Sequence, residues 1–179
     1  MNTLANKITI LRILLIPVFL VLAYTGHTYW ALAAFILACV TDFFDGYIAR
    51  SRHQVTDVGK FMDPLADKVL VMAAMCYFVE AGRMPGWAVA VVLLREFAVS
   101  GMRLIAAEQG RVIAAAWSGK VKTAATMVCL CLMLYVPAPG IGDSAPDLVA
   151  AIGTAVILLT TVYSGIEYFY MNRDIFRKS

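Results

Sequence analysis

The chain has 179 residues, of which 61% are hydrophobic and only 15% are charged, with a formal net charge of +3. A soluble globular domain is about half apolar, with about a quarter of its residues charged. This composition therefore excludes an ordinary soluble protein and indicates a membrane protein. The length predicts a single domain over residues 1–179, and we expect no nucleic-acid partner.

Six apolar segments, each close to the ~20 residues that cross a bilayer, are predicted to be transmembrane helices. They cover approximately residues 8–24, 30–50, 59–79, 87–108, 120–136 and 148–170. The predicted fold is therefore an all-α bundle of six transmembrane helices, with a polar cavity that faces the cytoplasm. All four cysteines lie inside apolar runs, so we expect them to pack rather than to form disulfides.

The distribution of basic residues predicts the orientation of the bundle, because cytoplasmic loops carry an excess of Lys and Arg. With six spans, most of the basic residues fall on one side, so both termini are predicted to be cytoplasmic. This side holds Lys7, Arg12, Arg50, Arg52, Lys60, Arg111, Lys120, Lys122, Arg173, Arg177 and Lys178. On the opposite side Arg83 is the one cation of the predicted loops.

Four aspartates lie at the facing ends of the second and third predicted helices. Asp42 and Asp45 are three residues apart on one helix face, and Asp63 and Asp67 are four apart on the next. The polar stretch over residues 51–58 is predicted to reverse the chain, so that all four carboxylates point into one gap. An alternative is an ordinary solvated helix hairpin, in which these carboxylates pair with nearby Arg and Lys side chains.

Four carboxylates in one gap would repel one another unless cations lie between them. Hard oxygen ligands suit Mg²⁺ or Mn²⁺, and four of them can hold two ions about 3.5–4 Å apart. Such a site suits in-line displacement at phosphorus. Gly46, Ala49 and Gly59 lack bulky side chains, which leaves room for a ligand against the helix backbone.

The fourth predicted helix carries Arg95 and Glu96 near its middle, where ionisable residues are costly and face a partner or a water-filled cavity. They could form a buried pair that holds two helices together, or they could line a polar cavity that reaches from the cytoplasm. A basic cluster follows around the loop between the fourth and fifth helices. It consists of Arg103, Arg111, Lys120 and Lys122. It could attract anionic lipid headgroups, or it could bind a phosphorylated acceptor.

The acidic stretch resembles the signature of the CDP-alcohol phosphotransferase family. Its spacing, D-x2-D-G-x2-A-R-x8-G-x3-D-x3-D over residues 42–67, is filled without a departure. Residues 59–68 and 118–123 further resemble the bacterial phosphatidylglycerophosphate synthase branch of that family. The resemblance implies a homodimer in the bacterial cytoplasmic membrane. It also implies transfer of the phosphatidyl group of CDP-diacylglycerol to sn-glycerol 3-phosphate, with release of CMP.

The resemblance also implies roles for individual residues. Asp42, Asp45 and Asp63 would be the main metal ligands. Asp67 would lie at the edge of the metal site and would act as the general base. The nucleotide donor would contact Asn6, Thr9, Gly46, Ala49, Arg50, Thr56 and Gly59, with Asn6 and Thr9 closing over it. The phosphate of the acceptor would contact Arg103, Arg111, Lys120 and Lys122.

Two other functions remain open at this point. The acceptor could be serine or an inositol phosphate, although serine has no phosphate for the basic cluster to bind. A divalent-cation transporter could use the same carboxylates for permeation. However, a transporter of this kind would more often show inverted repeats and broken helices near the bilayer midplane.

Overall fold

The structure is a computed structural model, which describes residues 4–52, 57–111, 113–114, 116–136 and 145–175. Within these ranges, the side chains of residues 4–10, 42–52, 57–67 and 175 are not described. The described chain forms six α-helices and a short 3-10 helix, with no strand. The helices are α1 (Leu4–Tyr24), α2 (Thr28–Arg52), α3 (Asp57–Glu80), α4 (Gly86–Glu108), α5 (Trp117–Tyr135) and α6 (Ala145–Met171), and the 3-10 helix is Arg173–Ile175. The prediction of an all-α protein with six helices is confirmed, with ends that differ by four residues or fewer.

Glycines in the left-handed conformation end α3 and α4 and so determine where two arginines lie. Gly82 and Gly110 each have a φ of 70°. In both turns the glycine and the residue after it donate backbone hydrogen bonds to carbonyls in the last turn of the helix. Arg83 donates to the carbonyl of Phe78 at 2.8 Å, and Arg111 donates to the carbonyl of Ala106 at 2.8 Å. This pattern closes a helix and turns the chain sharply outward.

The helices alternate in direction, as contacts at one end of the bundle show. Tyr24, at the end of α1, donates a hydrogen bond to Glu80, at the end of α3. Arg83, between α3 and α4, donates to the carbonyls of Met133 near the end of α5 and Pro146 at the start of α6. These elements therefore meet at one end of the bundle. Helix α2 ends, and helix α3 begins, at the other end. We call that other end the motif end, because it carries the acidic motif.

The main described core lies between the helices, and a smaller cluster of Val99, Met102 and Tyr168 lies beside the α4–α5 turn. Phe19, Phe35 and Phe78 are fully buried, and the ring centroids of Phe19 and Phe35 are 5.7 Å apart. Small residues allow helices to approach closely: a Cβ added at Gly153 of α6 would lie 3.2 Å from the Sδ atom of Met133 on α5. The main core thus joins residues of all six helices.

Within the described residues, one helix is both long enough and apolar enough to cross a membrane by itself. This helix is α6, Ala145–Met171, and two shorter apolar segments cover Leu11–Tyr24 and Thr28–Thr41. Charged side chains lower the apolar character of the other long helices, as Arg95, Glu96 and Arg103 do in α4. The six predicted transmembrane spans and the cytoplasm-facing cavity stay predictions.

Candidate active site

Three helices bring the acidic motif and the predicted donor-binding residues to the motif end. Asp42 and Asp45 lie in the second half of α2, and Asp63 and Asp67 lie in the first half of α3. Both stretches are helical, so the spacing that places each pair on one face is present in the backbone. Helices α2 and α3 pack against each other, and α1 packs against both. The site residues on these helices therefore belong to one part of the bundle.

The predicted contacts of the donor fall on these same helices. Asn6 and Thr9 lie in α1, Gly46, Ala49 and Arg50 lie in α2, and Gly59 lies in α3, whereas Thr56 lies outside the described residues. The side chains of this group, and of the four aspartates, also lie outside the described part of the structure. Their contacts with a donor therefore stay predictions.

The chemistry of the acidic motif fits a divalent metal ion. Its four carboxylates are hard oxygen ligands, which Mg²⁺ and Mn²⁺ prefer. Among the side chains that the structure describes, no group of three or more His, Cys, Asp or Glu residues is placed to hold a metal ion. Metal binding by the motif aspartates stays a prediction.

Glu96 is the centre of a partly buried ionic network that the structure adds to the predicted site. Its Oε1 atom accepts hydrogen bonds from Nη1 of Arg95 at 2.9 Å and from Nζ of Lys122 at 2.5 Å. Arg95 and Glu96 lie on α4 and Lys122 lies on α5, so the network joins these helices. Arg95 and Glu96 thus pair within α4, and the bond of Glu96 to Lys122 joins α4 to α5. Whether these residues also line a cavity stays a prediction.

Lys68 on α3 extends this network and was not among the predicted site residues. Its Nζ atom donates a hydrogen bond to Oγ of Ser100 on α4 at 2.7 Å and lies 4.0 Å from Oε2 of Glu96. Lys68 directly follows Asp67 in the chain. From the sequence, Lys68 could be interpreted only as a partner of the neighbouring aspartates, and no local signal links it to α4.

The four residues predicted to bind the acceptor phosphate lie on α4, on α5 and in the turn between them, but in different surroundings. Lys122 is buried and bonded to Glu96. Arg103 donates a hydrogen bond to the hydroxyl of Tyr168 on α6 at 3.0 Å and stacks on its ring. Lys120 lies 5.9 Å from the ring centroid of Trp117, and Arg111 is exposed after the turn at Gly110. The structure therefore divides the cluster into one buried cation and three cations nearer the surface.

The first helix adds a further buried cation near the motif end. The sequence places Arg12 among the basic residues on the predicted cytoplasmic side. Its side chain is fully buried. A fully buried side chain cannot act as a surface anchor, so Arg12 belongs to the interior of the helix packing around α1.

Comparisons with known proteins agree with this arrangement. Residues 2–166 match the family model described as CDP-alcohol phosphatidyltransferase. The chain therefore belongs to the CDP-alcohol phosphatidyltransferase family, and the predicted family is confirmed.

Several relatives carry names that describe one particular reaction. The CDP-diacylglycerol–glycerol-3-phosphate 3-phosphatidyltransferase of Bacillus subtilis (strain 168) is 40% identical, and the match covers 100% of both chains. The Escherichia coli (strain K12) protein of the same name is 42% identical over 73% of this chain and 75% of its own. A probable phosphatidylglycerophosphate synthase of Mycobacterium tuberculosis (strain H37Rv) is 38% identical over 92% of this chain and 79% of its own.

Proposed function

We propose that this protein transfers the phosphatidyl group of CDP-diacylglycerol to sn-glycerol 3-phosphate, which yields phosphatidylglycerophosphate and CMP. The observation that carries the proposal is the similarity to the Bacillus subtilis enzyme named for this reaction, which is 40% identical over the full length of both chains. This similarity covers the basic residues of α4 and α5 as well as the acidic motif. It therefore supports the acceptor as well as the type of reaction.

The acidic motif would carry out the donor half of the reaction. Asp42, Asp45 and Asp63 would hold two Mg²⁺ or Mn²⁺ ions, with Asp67 at the edge of the site. When bound, these ions would neutralise the pyrophosphate of the donor and the negative charge that develops on departing CMP. Arg50 would contact the nucleotide, and the small residues of the motif would leave room for it.

Asp67 would act as the general base. It would accept the proton of the attacking hydroxyl of glycerol 3-phosphate as that oxygen bonds to the phosphorus of the phosphatidyl group. The bond from this phosphorus to the oxygen of CMP would break at the same centre, and CMP would leave with the electron pair. Asp67 is on α3, one residue before Lys68, whose ammonium group faces α4.

The cations of α4 and α5 would receive the phosphate of the acceptor. Among the described side chains of this network, Glu96 is one negative charge beside Arg95, Lys122 and Lys68, so these four carry an excess of positive charge. Arg103 and Lys120 add further cations on the same two helices. Arg and Lys bind phosphate through charge-assisted hydrogen bonds. This charge distribution favours a phosphorylated acceptor over serine.

We also propose that all six helices lie in the bacterial cytoplasmic membrane, with both termini in the cytoplasm, and that two copies form a homodimer. The described surface supports a membrane environment, because large apolar side chains are exposed along the helices. Leu94 and Phe97 on α4 are 72% and 71% exposed, and Leu159 on α6 is 71% exposed. Exposed apolar surface of this extent indicates contact with lipid or with another protein.

An acceptor panel tests the proposed reaction. Purified protein in detergent micelles would receive CDP-diacylglycerol, Mg²⁺ and one of four acceptors: sn-glycerol 3-phosphate, glycerol, serine or an inositol phosphate. Release of CMP and formation of the lipid product would be measured. We expect turnover with glycerol 3-phosphate and little with the other three acceptors. Preferential use of serine or of an inositol phosphate would refute the proposed acceptor while leaving the family reaction intact.

A further inference from the structure

The ionic network around Glu96 joins α3, α4 and α5 near the middle of α4. The carboxylate contacts Arg95 on its own helix and Lys122 on α5, and its second oxygen lies 4.0 Å from Lys68 on α3. The side chains of Lys122, Arg95 and Glu96 are 7%, 13% and 15% exposed, so water screens the contacts among these three only weakly. Lys68 is 39% exposed, so its contact with Glu96 is screened more. Ser100 completes the link, because it accepts a hydrogen bond from Lys68 at 2.7 Å.

A polar contact joins α3 to α4 at the level of Lys68. Helix α3 packs mainly against α1, and it contacts α4 and α5 much less. Lys68 is a described polar link between α3 and α4, and Glu96 extends this link to Lys122 on α5. Lys68 also lies one residue after Asp67, so the link acts directly on the part of α3 that carries the predicted base.

We propose that Glu96 is a positioning residue that holds the acceptor-binding cations of α4 and α5 at a fixed place relative to Asp67 on α3. This inference rests on the proposed function, in which the acceptor has two groups to place at once. Its phosphate needs the cations of α4 and α5, and its hydroxyl needs Asp67. The distance between these cations and Asp67 depends on the position of α3 relative to α4 and α5. The contacts of Glu96 with Lys68 and Lys122 would hold that position.

The donor should depend much less on this network. Its predicted contacts lie on α1, α2 and the first part of α3, which pack against one another. Loss of the Glu96 carboxylate would therefore weaken the use of the acceptor and leave the KM for CDP-diacylglycerol nearly unchanged. A pair that only stabilised the fold would lower the unfolding temperature without separating the two KM values.

Glu96→Gln tests this inference, because it keeps the size of the side chain and removes its charge. We expect the KM for glycerol 3-phosphate to rise by about tenfold to a hundredfold, the scale of a lost charge-assisted contact, and the KM for CDP-diacylglycerol to change little. Glu96→Asp should recover part of this loss, because it keeps the negative charge. The matched control is Asp147→Asn, an exposed acid at the opposite end of the bundle, which should leave both KM values unchanged.

Lys68→Met gives a second test, in case Glu96→Gln fails to fold. It removes the link from the side of α3 and leaves the contacts of Glu96 with Arg95 and Lys122 in place. We expect the same separation of the two KM values, with a smaller rise for the acceptor. Equal rises in both KM values, or a lower unfolding temperature with both KM values unchanged, would overturn the inference.

The same measurements separate this inference from the proposed function. If the wild-type protein used an acceptor other than glycerol 3-phosphate, the proposed function would fail. The comparison of KM values would then be made with that acceptor against CDP-diacylglycerol. A selective rise for the acceptor would still support the positioning role of Glu96, and an equal rise would still refute it.

Discussion

Arg83 provides a prediction about stability whose size can be worked out from the structure. Its Nη1 atom donates a hydrogen bond to the carbonyl of Met133 at 2.8 Å, and its Nη2 atom donates to the carbonyl of Pro146 at 3.3 Å. The guanidinium carbon also lies 5.4 Å from the ring centroid of Phe78. The carbonyl of Met133 is in the last turn of α5, where carbonyls lack a partner within the helix. One side chain thus ties the α3–α4 turn to α5 and α6.

The expected loss follows from these two hydrogen bonds. A hydrogen bond to a charged group contributes about 1.5–3 kcal/mol, and the longer bond should contribute at the low end or below. Burial lowers the pKa of Arg83 from its ordinary value, but an arginine stays protonated near neutral pH, so both bonds persist. Removal of the desolvation cost offsets part of the loss. We expect Arg83→Met to lower the free energy of unfolding by about 2–3 kcal/mol.

The assay is thermal unfolding of the purified protein in detergent, followed by circular dichroism. A chain of this length loses about 2–4 °C for each kcal/mol, so the midpoint should fall by roughly 4–12 °C. The midpoint of Arg83→Lys should fall less, because a lysine can still donate a hydrogen bond to one of the two carbonyls. Arg173→Met is the matched control: it also removes a cation stacked on an aromatic ring, here Tyr170 at 5.0 Å. An unchanged midpoint in Arg83→Met, or an equal fall of the midpoint in Arg173→Met, would refute the stabilising role of the two hydrogen bonds of Arg83.

Three further predictions concern activity. Asp45→Asn should abolish turnover and leave the helical content unchanged, because an amide oxygen is a weaker metal ligand than a carboxylate; full activity of this variant, or of the wild type in chelator, would contradict a metal-dependent site. Asp67→Asn should lower kcat by about 10² or more, the scale of a lost general base, and a collapse of CDP-diacylglycerol affinity would instead make Asp67 chiefly a metal ligand. Lys120→Ala or Arg111→Ala should raise the KM for glycerol 3-phosphate by about ten- to a hundredfold with little change for the donor, and equal losses for both substrates would indicate a general lipid-attracting patch.

The sequence alone was sufficient for the features that depend on short-range spacing. Six apolar segments predicted six helices, because the length and apolar character of a helix are properties of consecutive residues. The spacing of Asp42, Asp45, Asp63 and Asp67 on helical faces is likewise local, and it predicted the family that the comparisons confirm. Which ligands these side chains contact, and how many helices cross the membrane, stay predictions.

Only the tertiary structure decided which distant charges meet. Lys122 has no acidic residue close to it in the sequence, yet it is bonded to Glu96, which lies 26 residues earlier in the chain. Lys68 reaches Ser100, which is 32 residues away, and Arg83 reaches Met133, which is 50 residues away. Side-chain periodicity shows which residues share a face of one helix, but it does not show which helices become neighbours or at what height they cross. The neighbours of each helix and the height at which helices cross arise from packing over the whole bundle. They bring Glu96 close to Lys68 on α3 and Lys122 on α5.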